Sequence, residues 1–306
     1  MDDSDFRVGA FTLPGNSASR SVQRLIIWGV GLLGGSVSLA SRRAGFTGSI
    51  LGIGRNAETL QQAKKAGLVS DYTTDPQHIQ WQPGDFIVLC QPVSSIVECI
   101  PTLLKNLPEG CLVTDVGSTK QTIVQATQGC SAAQQAQIVG SHPMAGSEKT
   151  GFHHASETLF VGATTIVTST EGTNPEALAC VMAFWKALGS RLIVMHPQRH
   201  DELIALISHV PHMTAAALVN LVDNTHNDPS LLRLICGNGF RDTTRIAQGS
   251  SAVWSQICQE NSAAIADQLD SLSEILREYA QEIRMKNMSR LKEVLDQSSE
   301  LRKKMG

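Results

Sequence analysis

The chain has 306 residues, of which 42% are apolar and 17% are charged, and its formal net charge at pH 7 is −3. This composition is typical of a folded globular protein and excludes general disorder, and the charge gives no reason to expect a nucleic acid as a partner. The length allows two domains and a large core.

Cysteine usage and hydropathy predict the compartment. Seven cysteines are scattered without a CxxC pair, which indicates reduced thiols in a cytoplasmic protein and neither a disulfide framework nor a zinc site. No apolar run approaches the ~20 residues needed to cross a bilayer, so we expect no membrane as a partner. Residues 1–20 are acidic and then rich in Gly, Ser and Asn, and we interpret them as a flexible tail without a signal-peptide core.

Between residues 21 and 195, short β-forming runs alternate with helical stretches. We expect strands at 25–28, 49–53, 85–90, 111–115, 137–140, 162–168 and 191–194. We expect helices at 33–44, 57–66, 94–106, 120–127 and 175–188. Strands that alternate with helices of this length predict an α/β fold with a Rossmann-type doubly wound parallel sheet, which the last two strands would complete.

From residue 196 to 306 the pattern changes to helices alone. Helical patterns run over 200–222, 261–285 and 289–303, and no convincing period-two strand follows Met195. The stretch 215–222 is apolar on all sides, which favours a central helix or a dimer interface. The sequence therefore predicts an all-helical C-terminal domain.

The first expected strand ends in a Gly-x-Gly-x-x-Gly motif made by Gly29, Gly31 and Gly34. In a dinucleotide site the first glycine allows a sharp turn, the second lets the backbone approach a pyrophosphate, and the third lets the helix pack closely on the strand. The N–H groups of Leu32 and Leu33 would begin that helix and bind the phosphates. The alternative is a glycine-rich surface turn, because short motifs also occur by chance.

The end of the second expected strand predicts which nicotinamide cofactor binds. NAD sites usually carry Asp or Glu there, whereas this strand ends in Gly54, Arg55 and Asn56. Gly54 would leave space for a 2′-phosphate and Arg55 could pair with it, which favours NADP over NAD. The alternative is that Arg55 is a solvated residue at the start of the next helix. We also assign Gln91 and Pro92 to the cofactor site.

Two polar segments that follow expected strands contain candidate catalytic residues. Ser118 lies in TDVGSTK, and His142 lies in the glycine-bounded segment GSHPMAG. Ligands of open α/β sheets bind outside the carboxyl ends of the strands, and an imidazole transfers protons near neutral pH. The alternatives are a helix N-cap at Ser118 and a structural role for His142.

The helical half contains two further polar segments. His209 and His212 interrupt an apolar helix in SHVPH, and Arg241 and Arg245 follow a glycine turn in GNGFRDTTRIA. Alternatively, such histidines bond backbone carbonyls and such arginines pair with nearby carboxylates. Because no carboxylate or cysteine shares the local spacing of the histidines, we expect no metal.

Taken together, these segments resemble the prephenate/arogenate dehydrogenases of tyrosine biosynthesis. The matching segments, in the family's order, are GVGLLGGS at 29–36, DVGSTK at 115–120, SHPMAGSEKTG at 141–151, SHVPH at 208–212, GNGFRDTTRIA at 237–247, then Trp254 and Glu260-Asn261. The resemblance runs from about residue 24 to near the end of the chain. It implies oxidative decarboxylation of prephenate or arogenate, with hydride transfer to NAD or NADP.

The resemblance also implies a role for each matching residue. His142 would accept the proton of the substrate hydroxyl, and Ser118 would bond that hydroxyl and hold the imidazole. Arg245 would bind a substrate carboxylate, and His209 would be a second histidine of the substrate pocket. Further substrate-binding candidates are His212, Glu148, Arg241 and Trp254.

The family also pairs through its helical region, so we expect a homodimer that forms through the C-terminal domain. The sequence leaves open whether the substrate is prephenate or arogenate and whether tyrosine inhibits the enzyme. Two rival interpretations are a dehydrogenase of the β-hydroxyacid type, which uses a lysine-centred site, and a nicotinamide-binding regulator without catalysis.

Overall fold

The structure is a computed structural model that describes residues 12–13, 20–146, 149–225 and 229–305. In the described residues its strands are β1 Thr12–Leu13, β2 Arg20–Ser21, β3 Arg24–Trp28, β4 Ser49–Ile53, β5 Asp71–Thr73, β6 Asp85–Leu89, β7 Leu112–Asp115, β8 Ser141–Pro143, β9 Thr164–Thr168 and β10 Arg191–Met195. β1 and β2 pair antiparallel within the stretch that the sequence predicts to be a tail. The remaining residues of that predicted tail lie outside the described ones.

The helices are α1 Leu32–Arg43, α2 Ala57–Lys65, α3 Val93–Asn106, α4 Gln121–Gln125, α5 Ala132–Gln135, α6 Pro175–Ala187, α7 Pro197–Ile204, α8 Val210–Thr225, α9 Pro229–Ile235, α10 Asn238–Thr244, α11 Ser251–Glu260, α12 Ser262–Arg284 and α13 Met288–Lys304. Short 3₁₀ turns and one π-helical turn, Ala205–His209, connect some of them. Asparagine side chains cap three of the helices: Asn56 accepts a hydrogen bond from an N–H of α2, Asn174 does the same for α6, and Asn287 does so for α13.

A five-stranded parallel sheet in the order β5-β4-β3-β6-β7 confirms the predicted doubly wound fold. Its central strands β3 and β6 are almost wholly buried, as expected for a parallel sheet with helices on both faces. Trp28 pairs with Ile53 on one side and with Leu89 on the other. The carboxyl ends of β3, β4 and β6 therefore lie side by side at one edge.

The last three strands form a second sheet in the order β10-β9-β8, which corrects the prediction that 162–168 and 191–194 complete the first sheet. β9 runs parallel to β10 but antiparallel to β8. A parallel partner requires a crossover, usually through a helix, and the chain between β8 and β9 contains only the 3₁₀ turn Phe152–His154 among its described residues. The strand expected at 137–140 is reduced to one parallel bridge, Val113 to Ile138.

The chain divides into two compact units. The first unit ends at Ile204 and also includes Gln248–Glu260, and the second contains Ala205–Ala247 and the helices from Asn261 onwards. The sequence places the boundary earlier, at residues 195 and 196. In the described residues of the second unit every regular element is helical, in agreement with the predicted helical domain.

A π-helical turn precedes α8 at the start of the second unit. Pro211 lies two residues beyond that turn, and a proline inside a helix has no N–H and clashes with the carbonyl four residues earlier. A widened turn at this point accommodates the proline. π-turns of this kind are frequent at functional sites.

One helical stretch, Pro197–Asn224, is long and apolar enough to cross a membrane by length and composition, although we expected no such run. Core helices of soluble proteins pass the same test. A third of its most apolar window, 33%, is buried, and its buried His200 and Asp201 form hydrogen bonds with protein groups.

The two later glycines of the fingerprint allow a stability prediction. A Cβ atom on Gly34 would lie 2.1 Å from the carbonyl oxygen of Gly29 and 2.8 Å from the Cγ2 atom of Ile27, whereas a Cβ on Gly31 would meet nothing within 4 Å. We expect Gly34→Ala to lower the free energy of unfolding by about 1–3 kcal/mol, as overpacking does. Gly31→Ala is the matched control and should change it by less than about 0.5 kcal/mol. Urea unfolding of both variants measures the difference, and equal midpoints would contradict the packing role of Gly34.

Candidate active site

A glycine cradle lies at the carboxyl end of β3. Gly29 has φ +106°, and a Cβ there would lie 2.7 Å from the carbonyl oxygen of Cys90. Gly31 is the N-cap of α1 and provides no side-chain cap, so the first N–H groups of the helix, at Leu32 and Leu33, have no intrahelical partner. Open space above Gly31 together with these donors fits a pyrophosphate. This geometry favours a dinucleotide-binding turn over a simple surface turn.

A cleft of about 1050 Å³ extends from the same strand ends. Several of its lining residues end or closely follow strands of the parallel sheet, among them Trp28, Ile53, Gly54, Arg55, Thr74 and Gln91. The cleft is large enough for a nucleotide, since ligand pockets commonly have about 300–1,000 Å³.

Of the cofactor candidates beside this cleft, Arg55 and Gln91 line it, and Asn56 and Pro92 are the N-caps of the adjacent helices. Arg55 is exposed. Asn56 accepts a hydrogen bond from Thr59 N at 2.9 Å, and Pro92 is the N-cap of α3. In Gln91, Oε1 is buried and has no hydrogen-bond partner among the described residues. A bound cofactor that donates to this oxygen would satisfy it.

A buried ion pair stands at the carboxyl end of β7. The ammonium of Lys120 bonds Oδ1 of Asp115, and both side chains are fully buried. Asp115 also accepts hydrogen bonds from Gly117 N at 2.7 Å and from Ser141 N at 3.2 Å. Trp185 Nε1 donates to the Ser141 hydroxyl at 2.8 Å. These bonds hold the loop after β7 against the first residue of β8.

Ser118 lies half-buried in this loop and does not cap the helix that follows, so the alternative interpretation of Ser118 is wrong. The N-cap of α4 is Lys120, whose own side chain does not cap it. Instead the carboxylate of Asp201, on α7, accepts from Lys120 N and from Gln121 N, both at 2.8 Å. The cap comes from a residue about 80 positions away in sequence.

His142 is the second residue of β8 and is half-buried. Its Nδ1 lies 2.9 Å from Nε2 of His200, and Nδ1 of His200 lies 2.7 Å from Oδ1 of Asp201. Burial lowers the pKa of His200, against the raising effect of the hydrogen bond to Asp201. His200 is therefore neutral near pH 7, and a histidine–histidine–carboxylate chain ends at the predicted base.

In the second unit, His209 is buried at the end of the π-helical turn. Its Nδ1 lies 3.4 Å from the side-chain nitrogen of Asn261, at the start of α12. His212 is also buried, and burial lowers its pKa. His212 is thus largely neutral at pH 7, which suits hydrogen bonding to a polar ligand better than ion pairing.

The two candidate arginines of the second unit differ in their surroundings. Arg241 donates to the carbonyls of Cys236 at 3.1 Å and of Arg233 at 3.5 Å, close to the end of α9. Arg245 begins a 3₁₀ turn and is exposed. The contacts of Arg241 support the backbone of its own unit, whereas Arg245 presents its guanidinium to solvent.

The other two candidates lie elsewhere. Trp254 is half-buried on α11, which packs on α3 within the first unit. Glu148 lies outside the described residues. In the described part of the chain, no group of three His, Cys, Asp or Glu side chains is arranged to hold a metal ion.

Sequence reasoning missed His200, Asp201 and Asn261 as members of these polar clusters. A signal existed for the first two: a His-Asp pair follows the expected strand at 191–194 within a few residues, as Ser118 follows its own strand. For Asn261 the signal was its place at the start of the helical pattern 261–285, in the Glu260-Asn261 pair that matches the family.

Two family models match most of the chain. Residues 37–194 match the model described as prephenate dehydrogenase, nucleotide-binding domain, and residues 196–297 match the one described as prephenate dehydrogenase, dimerization domain. The prephenate dehydrogenase of Bacillus subtilis (strain 168) is 33% identical over 270 residues, which cover 87% of this chain and 72% of the relative.

Solved structures show the same similarity. A prephenate dehydrogenase from A. aeolicus, in complex with hydroxyphenyl propionate and NAD+, matches with a TM-score of 0.87 and 31% identity over 94% of this chain and 100% of that one. The arogenate dehydrogenase of Synechocystis matches with a TM-score of 0.79 and 30% identity over 92% of this chain and 100% of the other.

The buried ion pair beside Ser118 can be tested through stability. Lys120→Met leaves the buried Asp115 carboxylate without its cation, and we expect the free energy of unfolding to fall by about 3–5 kcal/mol. The control is Lys64→Met, which removes an ion pair with Asp71 whose side chains are 46% and 72% exposed and should cost at most about 1 kcal/mol. Chemical unfolding of both variants is the measurement. Similar losses in the two would show that the buried pair is not what joins this loop to β8.

Proposed function

This chain belongs to the prephenate dehydrogenase family, and from that premise we propose that it performs the family's reaction with His142 as the base. The reaction is the oxidative decarboxylation of prephenate or arogenate in tyrosine biosynthesis, with NAD(P) as the hydride acceptor. One observation carries the assignment of the base. His142 lies in β8, next to Ser141, whose N–H bonds Asp115 at the carboxyl end of β7, and it is bonded through Nδ1 to a buried, neutral histidine.

The substrate ring carries a hydroxyl on the carbon para to a carboxylate-bearing carbon. His142 takes the hydroxyl proton at Nε2 as the oxygen forms a carbonyl. The nicotinamide, when bound, accepts the hydride that leaves the same carbon. The bond between the ring and its carboxylate then breaks, CO₂ departs, and the electron pair of that bond makes the ring aromatic. The phenolic oxygen recovers the proton that His142 held, so protons and electrons balance.

The other roles follow from the chemistry of each side chain. Ser118, in the loop held by Asp115 and Asp201, bonds the substrate hydroxyl and orients it. Arg245 binds a substrate carboxylate, for which a planar guanidinium offers two parallel hydrogen bonds. His209 and the neighbouring His212 are polar contacts for the substrate. We give Arg241 a supporting role, because its guanidinium is bonded to backbone carbonyls.

We further propose that the cofactor is NADP in preference to NAD. The end of β4 provides no carboxylate for a ribose hydroxyl, whereas Gly54 and Arg55 both line the large cleft. An exposed arginine in the cleft suits a 2′-phosphate, since the guanidinium fork matches phosphate geometry.

We also propose that the chain forms a homodimer through its second unit. Large apolar side chains of α8 and α9 are exposed, among them Leu221 at 63%, Leu234 at 84% and Ile235 at 66%. Exposed apolar patches of this kind mark interaction surfaces. Tyrosine is a candidate feedback inhibitor, because it is the product when arogenate is the substrate and carries the same phenol ring as the product of prephenate.

The direct test is a rate at 340 nm for each combination of prephenate or arogenate with NAD or NADP. Turnover in at least one combination supports the function, and the fastest one identifies substrate and cofactor. If none turns over while the cofactor still binds, the chain is a regulator instead.

The base assignment predicts the effect of His142→Asn. Without a base to take the proton of the substrate hydroxyl, kcat should fall by roughly 10²–10⁴-fold, the usual contribution of general base catalysis. Cofactor affinity, measured by fluorescence titration, should stay unchanged. His196→Asn is the control, because His196 is exposed and begins the same helical segment as His200. Normal turnover in His142→Asn would refute the assignment.

The cofactor proposal predicts the effect of Arg55→Ala. Loss of a charged hydrogen bond costs about 1.5–3 kcal/mol, so KM for NADP should rise by roughly 10- to 100-fold while KM for NAD stays nearly constant. Arg43→Ala is the matched control, since Arg43 is exposed at the far end of α1. An equal rise for both cofactors would mean that Arg55 does not bind the 2′-phosphate.

A further inference from the structure

We propose that His200 and Asp201 are positioning residues that fix which nitrogen of His142 acts as the base, and that Asp201 also fixes the loop carrying Ser118. This inference rests on the proposed role of His142. It adds two buried residues to the reaction that no local motif indicates, and it gives one carboxylate a part in placing both candidate catalytic side chains.

The direction of the hydrogen bonds follows from Asp201. Three donors bond its two oxygens among the described residues: Lys120 N and His200 Nδ1 approach Oδ1 at 2.8 and 2.7 Å, and Gln121 N approaches Oδ2 at 2.8 Å. A carboxylate in this setting only accepts. Nδ1 of His200 must therefore carry the proton, which leaves Nε2 of the neutral ring as an acceptor.

The same logic passes from His200 to His142. Nε2 of His200 lies 2.9 Å from Nδ1 of His142, and an acceptor at that distance requires a proton on Nδ1. His142 is then the Nδ1–H tautomer, and its lone pair is on Nε2. A substrate hydroxyl would meet a base rather than a second donor.

The hydrogen-bond chain from His142 through His200 to Asp201, which we call the relay, also stabilises the charge that develops on His142 during the reaction. When Nε2 of His142 takes a proton, Nδ1–H still donates to the neutral His200. His200 is buried, with the carboxylates of Asp201 and Asp115 and the ammonium of Lys120 as the charged groups that act on it. Its hydrogen bond to Asp201 lets it support the imidazolium without becoming charged itself.

Asp201 links this relay to Ser118. The carboxylate caps α4 at Lys120 and Gln121, two and three residues after Ser118. A rotation of Asp201 would therefore disturb both the tautomer of His142 and the position of the serine loop. Helix capping alone would need neither the adjacent His200 nor its bond to His142.

The experiment compares His200→Phe with His196→Phe in the full chain. Phe fills the volume of the buried ring but neither donates nor accepts. We expect kcat to fall by about 10²-fold or more in His200→Phe, as when a triad carboxylate that sets a histidine tautomer is lost. KM and cofactor affinity should change little, and His196→Phe should behave like the wild type.

A second readout separates positioning from a structural effect. With ¹⁵N in the histidine rings, the NMR spectrum at neutral pH shows which nitrogen of His142 carries the proton, and the His142→Asn variant assigns its signals. We expect the Nδ1–H form in the wild type and a shift towards Nε2–H in His200→Phe. Asp201→Asn, whose amide has one acceptor oxygen for three donors, should produce the same shift and a similar loss of kcat.

Both readouts must change for the proposal to stand. A kcat within about threefold of wild type in both variants would overturn it, and so would a lower kcat with the tautomer of His142 unaltered. If His200→Phe does not fold, Asp201→Asn decides by the same two criteria. The proposed function fails separately, because then the wild type itself shows no turnover or His142→Asn retains it.

Discussion

A buried pair of charges fixes the edge of the sheet on which the candidate site depends. Asp115 and Lys120 are both removed from water, and such charges are tolerated only when they are paired and hydrogen-bonded. Asp115 meets this requirement partly through the backbone N–H of Ser141, so the start of β8 is tied to the end of β7. An isolated backbone bridge joins the chain nearby, and the charged side chains add the contacts that a full ladder would otherwise supply. Ser118 and His142 come to neighbouring strand ends as a result.

The fold was predictable where its signals are local. Gly29 and Gly34 identify the turn after β3 because each position leaves no space for a Cβ, and the alternation of strand and helix patterns identifies the parallel sheet. The pairing of β8 with β9 was not predictable in the same way. β9 runs antiparallel to β8 because the segment that connects them contains no crossover helix among its described residues. The apolar run of a short strand looks the same whichever sheet the strand joins.

The site was predictable only in part for a related reason. Ser118 follows β7, and His142 follows the short stretch that bridges β7 at Ile138; the carboxyl edge of a parallel sheet is where ligands bind. His200 bonds His142 across 58 positions of sequence, and Asp201 bonds Lys120, in the loop of Ser118, across 81. No spacing rule connects residues that far apart. Arg241 and Arg245 show a second limit. They lie four positions apart in the same motif and both are exposed, and the motif does not indicate that Arg241 bonds the backbone carbonyl of Cys236.

In the turn after β4, one residue caps the following helix and a different residue faces the cleft. Asn56 alone supplies the cap that α2 requires, while its neighbour Arg55 is exposed and lines the cleft without supporting the fold. Substitutions at position 55 therefore change the residue that lines the cleft with little loss of fold stability. Under the proposed role of Arg55 in binding a 2′-phosphate, evolution would exchange one nicotinamide cofactor for the other through changes at this turn while the sheet beneath it stays the same.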